Sequence, residues 1–240
     1  MKKQLCSGIL QPGLSLFNSV VRWLASHESL SCGMKILKFL IIWNLILLSG
    51  TYLFAQKSWV LKKDKDGIKV SSRETNRSKF NDIKVEMDLP GNISQLADIL
   101  IDVDKYSQWS YSVRKTSVVK RISPFSLVYY MEIDAPWPVT DRDLYALFEM
   151  QLDSLAKTMK ISALGSANFR PLNKDMVRIP YSKGSWDIRT VNDKTIHLIY
   201  TLEIDPGGSV PAWIMNLFAV KAPLVTFQNL KQKMILLNRH

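Results

Sequence analysis

In residues 81–89, NDIKVEMDL, Ile83, Val85, Met87 and Leu89 alternate with Asp82, Lys84, Glu86 and Asp88. A period of two with one apolar set is what a strand with a single dry face requires. Comparable stretches follow at SVRKTSVVKRI (112–122), SLVYYMEID (126–134), DLYALFEMQLD (143–153), TMKISALG (158–165), MVRIPYSKGSWDIRTV (176–191) and KTIHLIYTLEID (194–205). Polar or Pro/Gly-containing turns separate them, and short strands at that spacing predict an antiparallel meander. Its dry set includes Leu127, Tyr129, Met131 and Ile133, then Leu144, Ala146, Phe148 and Met150, then Ile196, Leu198, Tyr200 and Leu202. Those residues define one concave, apolar face.

Two stretches break the period. NISQLADILID (92–102) follows a Pro-Gly break and places Ile93, Leu96, Ala97 and Leu100 at helical spacing, with Asn92 or Ser94 available as a cap. From Pro211 onward, Trp213, Leu217, Val220, Leu224, Phe227, Met234 and Leu237 mark a long amphipathic helix, and Ile214, Phe218 and Val225 widen its stripe. Pro211 suits the first turn, whereas Pro223 has no N–H to donate and predicts a kink near the middle. The fold class is α+β: a sheet with an apolar face and a long apolar helix to cover it.

MKILKFLIIWNLILLSGTYLFAQ, from Met34, has two lysines, a mostly apolar run Phe39–Phe54 and then Ala55 before polar sequence, the layout of a secretory signal peptide cleaved after Ala55. The expected organisation is therefore an over-extended start or disordered leader at 1–33, a signal at 34–55 and one domain at 56–240, exported to a bacterial periplasm or envelope. An uncleaved membrane anchor at 39–54 is the alternative. Residues 56–240 carry 27 basic and 20 acidic residues, a net charge of +7 that favours anionic lipid surfaces. No dense Lys/Arg block, aromatic-basic RNA motif or zinc spacing accompanies that charge, so nucleic acid is not an expected partner.

Chemistry-bearing motifs are sparse. Cys6 and Cys32 both precede the apolar run, leaving no thiol beyond it for a disulfide, a thiolate metal site or a nucleophile. His197 alternates with Ile196 and Leu198 and so faces away from the dry side. Metal-ligand spacing, a serine-hydrolase elbow, a phosphate loop and a dinucleotide fingerprint are all missing, and no metal or cofactor is expected. The densest charge cluster is Asp141-Arg142-Asp143 in APWPVTDRD (135–143). Its structural reading has the prolines ending a strand, the two aspartates satisfying turn amides and Arg142 pairing with a neighbouring carboxylate. Trp109, Trp186, Tyr200 and Trp213 read either as plain core or as the walls of a ligand cavity.

DVDKYSQWSYSVRK (102–115), PWPVTDRDLY (136–145) and DPGGSVPAWIMNLF (205–218), in this order of elements, resemble the START family of lipid-transfer domains over roughly residues 57–235. The third motif is the most specific, because members commonly read P-G-G-x-[IV]-P-x-W there. The resemblance implies a helix-grip fold, a curved antiparallel sheet around a C-terminal helix, enclosing a tunnel that takes up one lipid without catalysis or cofactor. It also implies release and reclosure of that helix at a membrane surface, with Pro223 and Gly207-Gly208 as hinges, and a monomer. The residues expected to line the tunnel are Trp109, Tyr129, Met131, Leu144, Phe148, Trp186, Tyr200, Trp213 and Leu217, with Arg142 at its rim. Where some sterol-type members place a buried acid and base, this chain has Tyr129 and Phe148. The choline cage of phosphatidylcholine-transferring members falls partly on Met131 and Leu144, and their headgroup arginine falls near Tyr106. These departures predict a ligand of little polar character, an isoprenoid, a hopanoid or sterol, or a fatty acyl chain. A helix-grip enzyme, a cyclase or hydrolase with Arg142, Asp143 and Tyr200 as its suspects, is the competing reading.

Overall fold

A computed structural model describes residues 57–168 and 173–238; the expectations for 1–33 and 34–55 lie outside the described residues. Ten strands form one sheet: β1 (Val60–Lys65), β2 (Ile68–Arg73), β3 (Asp82–Pro90), β4 (Val113–Ser123), β5 (Ser126–Ile133), β6 (Arg142–Asp153), β7 (Thr158–Ser166), β8 (Val177–Arg178), β9 (Tyr181–Asn192) and β10 (Thr195–Asp205). Their spatial order is β1-β2-β3-β10-β9-β7-β6-β5-β4, every neighbouring pair is antiparallel, and β8 alone pairs in parallel, on β6. The curved sheet with a C-terminal helix is the helix-grip arrangement.

The alternation beginning at residue 81 passes over the β1–β2 hairpin. All six residues of β1 are exposed, so this edge strand shows no period, and its lysines blunt the free edge. The legible signal is the turn: Asp66 and Gly67 have φ of 55° and 76°, the positive pair that a two-residue hairpin loop needs. The stretch 176–191, expected as a single strand, is two. Val177 N and Ile179 N donate to Asp141 O (2.9 Å) and Asp143 O (3.0 Å), fixing β8 on β6. Pro180, without an N–H, then interrupts the ladder before β9 starts at Tyr181.

The dry face lies where the alternation puts it. Leu127, Ala146, Phe148, Ile196 and Leu198 are buried, joined by Ile83, Val85, Met87 and Leu89 on β3. On the opposite face His197 sits with Nδ1 2.7 Å from Asp88 Oδ1, so the outward histidine is held by an acid. Helix α1 (Ile93–Ile101) opens with a capping box in which Asn92 Oδ1 accepts from Gln95 N and Gln95 Oε1 accepts from Asn92 N, each at 3.0 Å. A 3-10 helix, Val103–Gln108, leads from it to Trp109.

The C-terminal helix is continuous but not uniform. Pro211 stands one residue outside it as the N-cap, α2 spans Ala212–Asn216, a π turn occupies Leu217–Lys221 and α3 runs Ala222–Leu237. Pro223 thus sits in the first turn of α3, and the wider turn preceding it accommodates the ring and the missing donor. The far half of this helix is pinned by polar bonds. Asn229 Nδ2 donates to Trp109 O (3.0 Å), Thr226 Oγ1 accepts from Tyr111 N (3.0 Å), and Lys231 Nζ and Gln228 Nε2 donate to Asp66 O (2.7 Å) and Oδ2 (2.8 Å). Among the described residues, the side chains of 213–220 make no hydrogen bond.

Candidate functional site

A cavity of about 260 Å³ lies between the concave face and the C-terminal helix. Part of its wall is a patch of small residues: Ala163 pairs with Gly184 across β7 and β9, and Ser182 lies two residues before Gly184 on the same face. Bulkier residues flank it, Phe148 paired with Ala163 on β6 and Trp186 two residues beyond Gly184 on β9, so the wall recedes at the patch. From the helix side Ile214, Phe218, Ala222 and Phe227 close the space.

Trp109, Tyr129, Met131, Arg142, Leu144, Phe148, Trp186 and Tyr200 all line this cavity, brought together from the loop after the 3-10 helix and from strands β5, β6, β9 and β10. Trp213 and Leu217 do not. Trp213 is 52% exposed and Leu217 is half-buried, while Ile214 is buried and lines the cavity with Phe218. A constant helical period runs the stripe through Phe227 and Met234, and both are buried. The π turn takes extra residues to complete its revolution, so the phase of α3 does not carry back into α2.

The aromatic walls form two groups. Trp186, Tyr200 and Phe227 meet with ring centroids 4.7–5.4 Å apart, and Tyr106 sits edge-on to Trp109 at 5.0 Å and to Tyr129 at 6.2 Å. Tyr106 donates its hydroxyl to Leu100 O (2.6 Å). Burial pushes the Tyr129 phenol up to about 12 and raises those of Tyr106 and Tyr200 as well, with the Tyr129 phenol adding to the effect on both, and Tyr200 and Asp102 adding further on Tyr106. Trp109 Nε1 is buried without a hydrogen-bond partner among the described residues. Among the described residues the cavity is therefore lined by apolar side chains with a few donors and no acid.

The charge cluster of APWPVTDRD resolves differently from its expected pairing. Asp141 does hold the turn: Oδ1 accepts from Ala135 N (2.9 Å) and Oδ2 from Arg114 Nη1 (2.9 Å). Asp143, expected at a turn amide, instead makes a two-pronged buried ion pair with Arg178, Nε to Oδ1 at 2.7 Å and Nη2 to Oδ2 at 2.8 Å. Arg142 forms no ion pair among the described residues. It is 6% exposed, lines the cavity, and donates to the carbonyls of Thr140 and Gly207. The physical reason is alternation on β6: Arg142 shares the side of Leu144 and Ala146, whereas Asp141 and Asp143 leave on the other. Burial lowers the Arg142 guanidinium from the usual arginine value, and the nearby Asp141 charge opposes that shift.

Small residues on a dry face were the unread signal for the cavity, since Ala163, Ser182 and Gly184 are all visible in sequence. Phe80, which also lines it, comes from the loop before β3 and carries no periodic mark. Among the described residues, no group of three or more His, Cys, Asp or Glu side chains is placed to hold a metal ion.

Comparison with known proteins agrees with this architecture. The START domain family model matches residues 51–234. An uncharacterised protein of Pseudomonas aeruginosa is 28% identical over 176 residues, covering 73% of this chain and 86% of that protein. Human START domain-containing protein 10 is 26% identical over 170 residues, 68% of this chain and 56% of that protein, so the chain spans just over half its length. The crystal structure of a STAR-related lipid transfer protein fragment from Xanthomonas axonopodis is similar with a TM-score of 0.67 and 28% identity, over 73% of this chain and 98% of that one.

Proposed function

The chain belongs to the START domain family, and from that premise we propose that it takes up one predominantly apolar lipid in the cavity between its concave sheet and its C-terminal helix. The observation that carries this reading is the cavity itself: about 260 Å³ lined by tryptophan, tyrosine, phenylalanine and aliphatic side chains. An apolar space of that size gains from being filled, at about 25 cal/mol for each Å² of ligand surface removed from water. Burying ~200 Å² of hydrocarbon contributes about 5 kcal/mol.

Binding is favoured over catalysis by the ionisable groups facing the cavity. Among the described residues they are tyrosines that burial keeps protonated and one arginine, with no carboxylate or imidazole to exchange protons near neutral pH. Lipid enters and leaves in this reading through displacement of α2 and the π turn, the half of the helix that carries no side-chain hydrogen bond. Gly207 and Gly208, both at positive φ, and Pro223 bound that segment. Exposed Trp213 on α2 and the net +7 of residues 56–240 suit transient contact with an anionic bilayer. Export from the cytoplasm, guided by Met34–Ala55, completes the proposal as a carrier in a bacterial envelope.

The test is organic extraction of the protein purified from its own host under mild conditions, with mass spectrometry of the extract and of the protein. One recurring lipid class in near-stoichiometric amount is expected, with Gln56 as the first residue of the mature chain. A reproducibly empty protein that also fails to take up radiolabelled lipid from vesicles would overturn the lipid reading.

A further inference from the structure

Among the described residues Arg142 is the only charged side chain lining the cavity. Both acids beside it in sequence are committed elsewhere, Asp141 to Arg114 and the Ala135 amide, Asp143 to Arg178. The guanidinium has five N–H donors. Its partners among the described residues are two neutral oxygens, Thr140 O and, at 3.5 Å, Gly207 O. A charge 6% exposed that forms no ion pair among the described residues is costly, and the lowered pKa of this arginine, only partly offset by the nearby Asp141, is the same cost seen from the proton's side. Protein interiors ordinarily remove such a cost by pairing the charge.

We propose that the ligand supplies the missing anion: the molecule taken up carries an oxyacid head, a carboxylate or a phosphate monoester, received by the fork of Arg142, with its hydrocarbon body along the aromatic walls. This rests on the cavity being a lipid site and adds a charged head to the ligand of little polar character expected from the sequence. A guanidinium matches two oxygens of one acid head, which a hydroxyl cannot offer. The cavity, about 260 Å³, falls just below the ~300–1,000 Å³ of small-molecule sites and favours a single-chain or compact acid over a two-chain phospholipid. Gly207 O, the second carbonyl on Arg142, belongs to the turn that precedes α2, so an arriving anion would also compete for the donor that ties this turn to β6.

The experiment uses the full chain, stripped of lipid on a hydrophobic resin and loaded with an uncharged pyrene-labelled hydrocarbon as reporter. Hexadecanoate, hexadecyl phosphate and hexadecanol are then titrated below their aggregation limits. At least about tenfold tighter displacement by one of the two acids than by the alcohol is expected, the size of one charge-assisted contact. Whichever acid is the tighter identifies the head. Arg142→Met should bring acid and alcohol together, read as the ratio of their displacement constants within the variant, and Arg142→Lys should keep a reduced preference for acid. Equal displacement by acids and alcohol in the wild type, or a preference that survives in Arg142→Met, overturns the proposal while the lipid reading stands. Should Arg142→Met not fold, the wild-type ratio and Arg142→Lys decide. A wild type that binds neither reporter nor any amphiphile removes both readings together.

Discussion

Tyr129 and Tyr200 bring their hydroxyls into a space where neither finds a hydrogen-bond partner among the described residues, and burial raises both phenols above the ordinary tyrosine value near 10. For an acid whose folded pKa is raised, the folded state holds the proton more tightly than the unfolded chain. The associated stability is complete below about pH 10 and is lost as pH climbs through the folded value. Spectrophotometric titration should accordingly show Tyr106, Tyr129 and Tyr200 silent at about pH 11, where exposed tyrosines have ionised; the double variant Tyr129→Phe, Tyr200→Phe should retain more stability in that alkaline range. At least four tyrosine equivalents, these three and Tyr130, which burial also pushes up to about 12, missing from the wild-type titration curve at about pH 11 is the expected result, and full titration with the fold intact would contradict it. A second expectation concerns Asp143 and Arg178, whose side chains are 1% and 4% exposed. Removing one member leaves a buried charge unmatched, so Asp143→Asn or Arg178→Met should each cost about 3–5 kcal/mol in denaturant unfolding. Replacing both by apolar residues of similar volume should cost much less than the sum.

At the scale of elements, the C-terminal helix combines two regimes. Asn229, Thr226, Gln228 and Lys231 fasten α3 to the Trp109–Tyr111 loop and the β1–β2 turn, whereas among the described residues the side chains of 213–220 make no hydrogen bond, in a segment that enters a π turn. Local opening follows the weaker set of contacts. Hydrogen exchange followed by mass spectrometry should show amides of 212–221 exchanging at least about tenfold faster than those of 226–236, with the gap narrowing once lipid is bound. Uniform protection along the helix would remove the basis for a gate at this end. The strands and the existence of this helix were legible because period two and period 3.6 are local properties of the chain. The phase of α2 was not, since a π turn shifts every residue on one side of it without altering composition. The β1–β2 hairpin was hidden for the opposite reason, β1 being exposed on both faces, although Asp66-Gly67 marked it. For Arg142 the alternation that aims it inward was readable from Leu144 onward. Its isolation was not, because Asp143 finds its partner in Arg178, 35 residues along the chain.

At the scale of the whole molecule, the proposed uptake rests on a deficit of packing. An empty apolar cavity of about 260 Å³ withholds, at ~24 cal/mol for each Å³, on the order of 6 kcal/mol from the folded state. That is comparable with the entire net stability of an ordinary domain, about 5–15 kcal/mol. A ligand that fills the space restores contacts and adds its own binding by mass action, so the lipid-stripped protein should melt several degrees below the loaded one. The deficit can also be reduced from within. Gly184 faces the cavity, and a Cβ there would meet Tyr200 Oη at 3.5 Å, Tyr200 Cε2 at 3.6 Å and Ala163 Cβ at 3.7 Å, all ordinary contacts. Gly184→Val should then be accommodated: a β-branched residue suits strand β9, removing glycine cuts the entropy of the unfolded chain, and the methyl groups occupy ligand space. The variant is expected to be at least as stable as the lipid-stripped wild type, by about 0.5–1 kcal/mol, while retaining a clearly smaller amount of co-purified lipid. Stability and uptake moving in opposite directions under one substitution would identify the missing volume as the working part of the molecule. A Gly184→Val protein that kept its full lipid load would place the ligand elsewhere.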